Sequence, residues 1–330
     1  MPKNYRRISF GIGFAFIVLI VAFIIFRIMS DKDIIKVGYM QISAHAPLIA
    51  AKELNIFEKH GLRVQLVPYP DTPTLMDGVE KGQVDVGYQL TADIVLKSAA
   101  STGKNYYVYY VARSTIAAPI DGFYALKQLD SNSLKGKKIG CFPGPTGEAM
   151  TRAIMEKVYG LKAKDYTLDP IAGVLQITKL KSGSVTALFT YEPIGTLLVE
   201  KFGAIRVLDA PVEKYIVDGP WDGGIGVFTN DLVVRRRKTA INFQNAMYEI
   251  FSLIQGEKRG TVADAMVKLQ PGLDLITAAK VPLTEAVIAR TEEEAIHLEE
   301  ALERQIAIYR SLGILPSEGR ANLKIFRVNK

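Results

Sequence analysis

IIKVGYMQISAHAPLIAAKELNIFEKHGLRVQLVPY, residues 34–69, reads as strand, helix, strand. Ile34 to Tyr39 is a run of β-branched and aromatic residues, Pro47 to Asn55 a short helix, and Leu62 to Val67 a second strand. The alternation continues with a helix over Thr74–Lys81, a strand over Val84–Tyr88, a helix from about Thr91 to Ala100, and a strand over Tyr106–Ala112. A second set follows: strand Lys137–Phe142, helix Thr146–Tyr159, a helical stretch near Gly173–Lys181, strand Val185–Tyr191, helix Pro193–Phe202 and strand Ala204–Leu208. Short β-rich runs alternating with helical patterns predict an α/β protein with parallel, doubly wound sheets. After Gly224–Phe228 the chain reads mostly helical, and Ala295, Leu298, Leu302 and Tyr309 form an apolar stripe on the last long helix.

On the N-terminal side lies a different signal. An unbroken apolar run from Ile8 to Phe26 follows the basic residues Lys3, Arg6 and Arg7. Roughly 20 apolar residues cross a bilayer as a helix, and the positive residues before the run place the N-terminus in the cytoplasm. The core exceeds the about 7–15 residues of a signal peptide, and Arg27–Asp31 shows no small-x-small cleavage pattern. Residues 1–30 are therefore expected to be a cytoplasmic stub and an uncleaved transmembrane anchor, a cleaved signal being the alternative. Either way the working part is extracytoplasmic.

Residues 1–30 carry four of the basic side chains and no acidic ones, so the net charge of +7 falls to +3 for the rest. That balance leaves no nucleic-acid footprint. The one basic cluster, Arg235 to Lys238, reads as a solvated helix start. A single cysteine, Cys141, excludes an internal disulfide and sits on a strand expected to be buried.

Three times a strand runs into a short polar or Gly/Pro turn that opens a helix: at Gln41–His45, Gln89–Thr91 and Pro143–Gly147. Ligands bind at the C-terminal edge of open α/β sheets, where helix N-termini offer unpaired N–H groups. The alternative is that Ser43, Thr91 and Thr146 cap their own helices. Glu148, in the first turn of its helix, either complements the helix dipole or faces a ligand's cationic end.

The segments IKVGYMQISAHAPLIAAKELNIFEKHGLRVQLVPY, GQVDVGYQLTADIV, LKGKKIGCFPGPTGEAM and VTALFTYEPIG resemble ABC-transporter solute-binding proteins of the nitrate/sulfonate/taurine group, which includes binders of thiamine-pyrimidine precursors. The resemblance implies a two-lobed periplasmic-binding-protein fold of type II. It has two doubly wound sheets joined by crossover strands near Arg113–Phe123 and Asp218–Gly226. Lobe 1 would comprise residues 31–115 and 223–330, and lobe 2 residues 116–222. It also implies a monomer that delivers its solute to ABC permease and ATPase subunits, with no cofactor. Positions matching the family's cleft loops are Gln41, Ser43, His45, Tyr88, Gln89 and Thr91 from one lobe. From the other come Pro143, Gly144, Thr146, Gly147, Tyr191 and Glu192. Asp218 and Trp221 fall by the second crossover, Trp221 either covering a ligand or packing in the core. Arg113 is the best-placed cation, able to pair with a ligand anion or with an acid of the site.

Catalysis is not expected. The three histidines, His45, His60 and His297, lack metal-ligand spacing, and neither a nucleophile elbow nor a phosphate loop is present. The cysteine-rich motif of yeast-type pyrimidine synthases, which share the fold, is absent too. Three neutral hydroxyl donors favour a small oxyanion or sulfonate head group, and nearby acids leave room for an amino group, so a taurine-like molecule fits better than nitrate. A pyrimidine precursor, or a tethered sensor acting through a separate partner, are the alternatives.

Overall fold

The computed structural model describes residues 34–173, 175–256, 258–317 and 323–328. The apolar run Ile8–Phe26, and with it the expected anchor or signal, lies outside the described residues; among these, no helix is long and apolar enough to cross a membrane. The first sheet contains β1 (Ile34–Met40), β2 (Arg63–Tyr69), β3 (Val86–Thr91) and β4 (Tyr106–Ser114). The second contains β5 (Asp121–Ala125), β6 (Lys138–Cys141), β7 (Thr167–Pro170), β8 (Ala187–Tyr191) and β9 (Ile205–Asp209). The chain then returns to the first sheet with β10 (Trp221–Thr229), β11 (Glu285–Ile288) and β12 (Leu323–Ile325).

The strand order is β11-β4-β10-β3-β1-β2 in the first sheet, with β12 also on β4, and β7-β6-β8-β5-β9 in the second. Neither sheet is wholly parallel, contrary to the sequence expectation. β10 runs antiparallel to β3 and β4, and β5 antiparallel to β8 and β9. The reason is topological. β5 and β10 are each the first strand after a crossover, so each enters its sheet from the edge where the parallel strands end; β11, also antiparallel to β4, is reversed as well and follows the helices behind β10.

Four strands escape the sequence reading. β5 lies in the expected crossover, β7 has only four residues, and β11 and β12 interrupt the tail read as helical. Each is short, too short for its period to stand out. The expected turn at Gln89–Thr91 is also corrected: these are the last three residues of β3, and the helix Ala92–Thr102 starts directly behind them.

The apolar pattern does its work as expected. Ile35 and Val37 of β1 are buried while Lys36 between them is exposed. Ala295, Leu298, Leu302 and Tyr309 are buried on the helix Glu292–Ser311, whose N-terminus is closed by a Thr291/Glu294 capping box. Each of the two apolar clusters takes residues from both sheets: Tyr88 and Phe243 join Leu188 and Leu197 in one, Leu90 and Trp221 join Phe189 and Met150 in the other. The lobes are thus packed together.

Two ion pairs also bridge them. On the helix Ile194–Phe202, Glu200 and Lys201 of lobe 2 pair with Lys280 and Asp274 of lobe 1. In the basic cluster, Arg236 pairs with Asp85 and Arg237 donates to the Arg327 carbonyl, so those side chains tie the lobe to itself. Cys141 is fully buried, and burial pushes its thiol up to about 12.

Candidate ligand site between the lobes

The C-terminal ends of β1 and β3 form one edge of the cleft. Past β1, Gln41 and Ile42 are exposed and Ser43 to His45 make a single 3-10 turn. Ser43 is buried, and its Oγ has no hydrogen-bond partner. His45 turns inward rather than toward a ligand. Its Nδ1 accepts the Met40 N–H at 3.1 Å, its ring meets Tyr88 edge-on at 5.0 Å, and burial lowers its pKa to about 3. A neutral imidazole that accepts at Nδ1 carries its proton on Nε2. His45 therefore props the turn from beneath.

Its neighbours on β3 are likewise turned into lobe 1. Tyr88 is wholly buried and packs against Tyr110 with ring centroids 5.6 Å apart. Gln89 adopts a left-handed φ of 45°, and its Oε1 accepts from the Tyr110 hydroxyl at 3.4 Å. Thr91 Oγ1 lies 3.1 Å from Thr72 Oγ1. Arg113 is corrected most clearly: it forms a bidentate pair with Asp222 at 2.7 and 3.2 Å, and Arg304 reaches the same carboxylate at 2.6 Å. Asp222 is only 1% exposed, so both guanidinium groups serve a buried carboxylate of β10.

From lobe 2 comes the Pro143–Gly147 loop. Gly144 has φ 103°, a region closed to most side chains, and a Cβ on Gly147 would stand 1.9 Å from the Phe142 carbonyl oxygen. These glycines let the loop fold tightly onto the helix Pro145–Lys157. The N-cap of that helix is Gly144, so Thr146 lies inside the first turn. Thr91 occupies the N-cap of its own helix without a side-chain bond. None of the three hydroxyls caps its helix, which removes the capping alternative.

Two expected carboxylates turn away. Glu192 is buried inside lobe 2, accepting from the Thr196 N–H at 2.8 Å and from Arg206 at 2.7 Å. It closes the first turn of the helix Ile194–Phe202 and is not presented to a ligand. Asp218 is exposed on the second crossover with φ 49°. Glu148 is half-exposed and lies 3.9 Å from Arg152, a surface arrangement that fits dipole complementation.

What the fold does bring together is a polar seam. Trp221, buried at the start of β10, meets the ring of Tyr309 edge-on at 5.4 Å. The Tyr309 phenol is held protonated, first by burial and then by Asp93, while Thr146 and Gln305 act in the opposite sense. Asp93, Gln305 and Tyr309 belong to lobe 1 and Thr146 to lobe 2, so this hydroxyl stands at the boundary. Tyr309 Oη, Thr146 Oγ1 and Gln305 Nε2 are buried without a hydrogen-bond partner. Tyr191, whose ring packs edge-on against Phe142 at 5.0 Å, is pushed well up by burial and then by Asp121, Tyr309, Glu213 and Asp93. Asp93, Asp121, Glu213 and Gln305 were not anticipated from sequence, and Tyr309 was read only as core.

Two α/β lobes whose strand ends face a buried polar seam define the architecture of two-lobed solute-binding proteins. The alkanesulfonate-binding protein SsuA of Xanthomonas axonopodis pv. citri, solved with MOPS bound, superposes with a TM-score of 0.66 at 15% identity, over 89% of this chain and 98% of that one. The periplasmic nitrate-binding protein NrtA of Synechocystis PCC 6803 gives 0.64 at 14% identity, over 87% and 83%. These likenesses are of fold. The chain itself belongs to the NMT1/THI5-like family, whose model matches residues 42–247. A relative, the 4-amino-5-hydroxymethyl-2-methylpyrimidine phosphate synthase of Saccharomyces cerevisiae, is 28% identical over 202 residues. That match takes in 60% of this chain and 46% of the relative, so the chain spans about half of that protein's length.

Proposed function

We propose that this protein is the solute-capturing component of an ABC importer, working outside the cytoplasm and delivering a small solute to separate permease and ATPase subunits. The observation that carries the reading is the meeting of Tyr309 from lobe 1 with Thr146 from lobe 2, both buried and both with an unpaired hydroxyl. Groups from two lobes converge on one solute only when the lobes close. Lobe 1 is taken as residues 31–115 and 223–330 and lobe 2 as 116–222, except that Trp221 and Asp222 go with β10 to lobe 1, and the Ile8–Phe26 run is taken as the membrane anchor. The N-terminal peptide of protein purified from its native membrane tests the anchor: a mature end near Ser30 makes it a cleaved signal instead.

The solute we favour is a small zwitterion with a sulfonate-like head, for which Thr146 and Ser43 supply neutral donors. Capture of a thiamine-type pyrimidine precursor is the second reading, favoured by the 28% identity to the yeast synthase. Neither reading involves catalysis by this chain. Small-angle scattering tests capture: the right solute reduces the radius of gyration and changes Trp221 fluorescence, whereas binding without compaction refutes a closing cleft.

A further inference from the structure

The acids expected to receive a ligand's amino group, Glu148, Glu192 and Asp218, are exposed or engaged elsewhere. Another pair has no such engagement. Asp121, the first residue of β5, and Glu213, on the turn Val212–Ile216, are both fully buried. Asp121 Oδ1 accepts the Val212 N–H at 3.3 Å, but Asp121 Oδ2 and both oxygens of Glu213 lack a donor. The nearby cation does not neutralise them: Arg206 spends one arm on Glu192 at 2.7 Å and the other on Asp209 at 2.9 Å. Among the described residues, no group of three His, Cys, Asp or Glu is arranged to hold a metal ion.

The pair belongs to the seam. Asp121 is the register partner of Tyr191, and the Tyr191 phenol is influenced by Asp121 and Glu213 from its own lobe and by Asp93 and Tyr309 from the other. Independently of the acids, Tyr309 Oη, Gln305 Nε2 and Thr146 Oγ1 converge there unpaired, their residues at most 6% exposed. Three buried carboxylate oxygens with no protein donor are costly unless a proton or a ligand cation serves them.

We infer that Asp121 and Glu213 form an amine subsite at the lobe 2 side of the cleft, which receives a protonated nitrogen of the ligand. This rests on the capture reading and names the chemistry that reading leaves open. Without ligand Asp121 keeps its proton, because burial and the neighbouring Glu213 raise it well above the ordinary carboxylate range. An arriving ammonium displaces that proton to solvent and donates hydrogen bonds to the carboxylates. The groups facing Asp121 are Glu213 and Arg206, with Tyr124 on the same strand and Tyr191 on the adjoining β8. None of these restores a second cation to the pair.

The test is calorimetry on the full chain in detergent with taurine, ethanesulfonate, nitrate and 4-amino-5-hydroxymethyl-2-methylpyrimidine as probes. An amine-bearing probe is expected to bind at least about tenfold more tightly than ethanesulfonate, the scale of a hydrogen bond between charged groups. For taurine the affinity should rise with pH and binding should release protons. Asp121→Asn with Glu213→Gln should remove both the preference and the proton release. The amides are isosteric and relieve repulsion, so the melting temperature should hold; the single Glu213→Gln variant repeats the measurement should the double variant misfold. Equal binding of ethanesulfonate or nitrate, or an unchanged preference in the variants, overturns the subsite and leaves solute capture standing. If no probe binds at all, both inferences fall.

Discussion

The two edges of the cleft treat their charged groups in opposite ways. On the lobe 1 edge His45 is tied to Met40, Gln89 to Tyr110, Thr91 to Thr72 and Arg113 to Asp222. What the lobe 1 edge leaves unpaired is neutral (Ser43 Oγ, His45 Nε2, Tyr88 Oη, Gln305 Nε2 and Tyr309 Oη), whereas the lobe 2 edge leaves three carboxylate oxygens of Asp121 and Glu213 beside Thr146 Oγ1. A network that satisfies itself fixes shape, and one that does not is left to recognise something else. Lobe 1 is thus the platform, and the selective chemistry sits mainly on lobe 2.

The largest effect should come from breaking the platform. Asp222→Ala leaves Arg113 and Arg304 without their shared carboxylate, and removing one partner of a buried pair costs about 3–5 kcal/mol. Urea unfolding reads the loss. A cost below about 1 kcal/mol would mean that the arginines find solvent easily and that the platform is not rigid at β10.

A middle-sized effect belongs to lobe 2. The raised pKa of Asp121 means that the folded chain holds a proton which the unfolded chain gives up near pH 4. Stability from this group is therefore complete below that pH and falls as pH rises, by at most about 1.4 kcal/mol per pH unit. Asp121→Asn should flatten the slope of melting temperature against pH above about pH 4. An identical slope in the variant would show that the carboxyl pair is not protonated and that the contrast between the edges is overstated.

The smallest effect concerns the contacts that hold the edges together. Exchanging charges within one bridge, Glu200→Lys with Lys280→Glu, should leave stability within about 1 kcal/mol, as for exposed pairs. The single Lys280→Glu change, which sets two acids face to face, should enlarge the ligand-free radius of gyration in low salt and not in high salt. No salt-dependent change would remove this bridge from the closing equilibrium.

The sequence carried the fold further than it carried the site. The strand–helix alternation and the stripe through Leu298 and Tyr309 follow from periods that side chains impose locally, and they were legible. The direction of β5 and β10 was not, because it depends on which edge the chain enters. Which acids stay unpaired was hidden for a related reason. FTYEP places Glu192 directly behind Tyr191, yet its carboxylate is claimed by Arg206 of β9, on the far side of β5. Asp121 and Glu213 lie 92 positions apart and gave no local signal. A buried acid whose partner sits on the turn behind the neighbouring strand is visible only once the sheet is assembled.

Ser114, the last residue of β4, and Trp221, the first of β10, are register partners on adjacent antiparallel strands. In the second sheet Gly122 and Asp209 stand in the same relation at the ends of β5 and β9. The chain therefore runs out along β4 and β5 and back along β9 and β10, two antiparallel ladders set end to end. Everything between residues 115 and 220 occupies the place of a hairpin turn, and replacing it with a short Asn-Gly connection would close the ladder of β4 and β10 while removing the lobe 2 side of both shared apolar clusters.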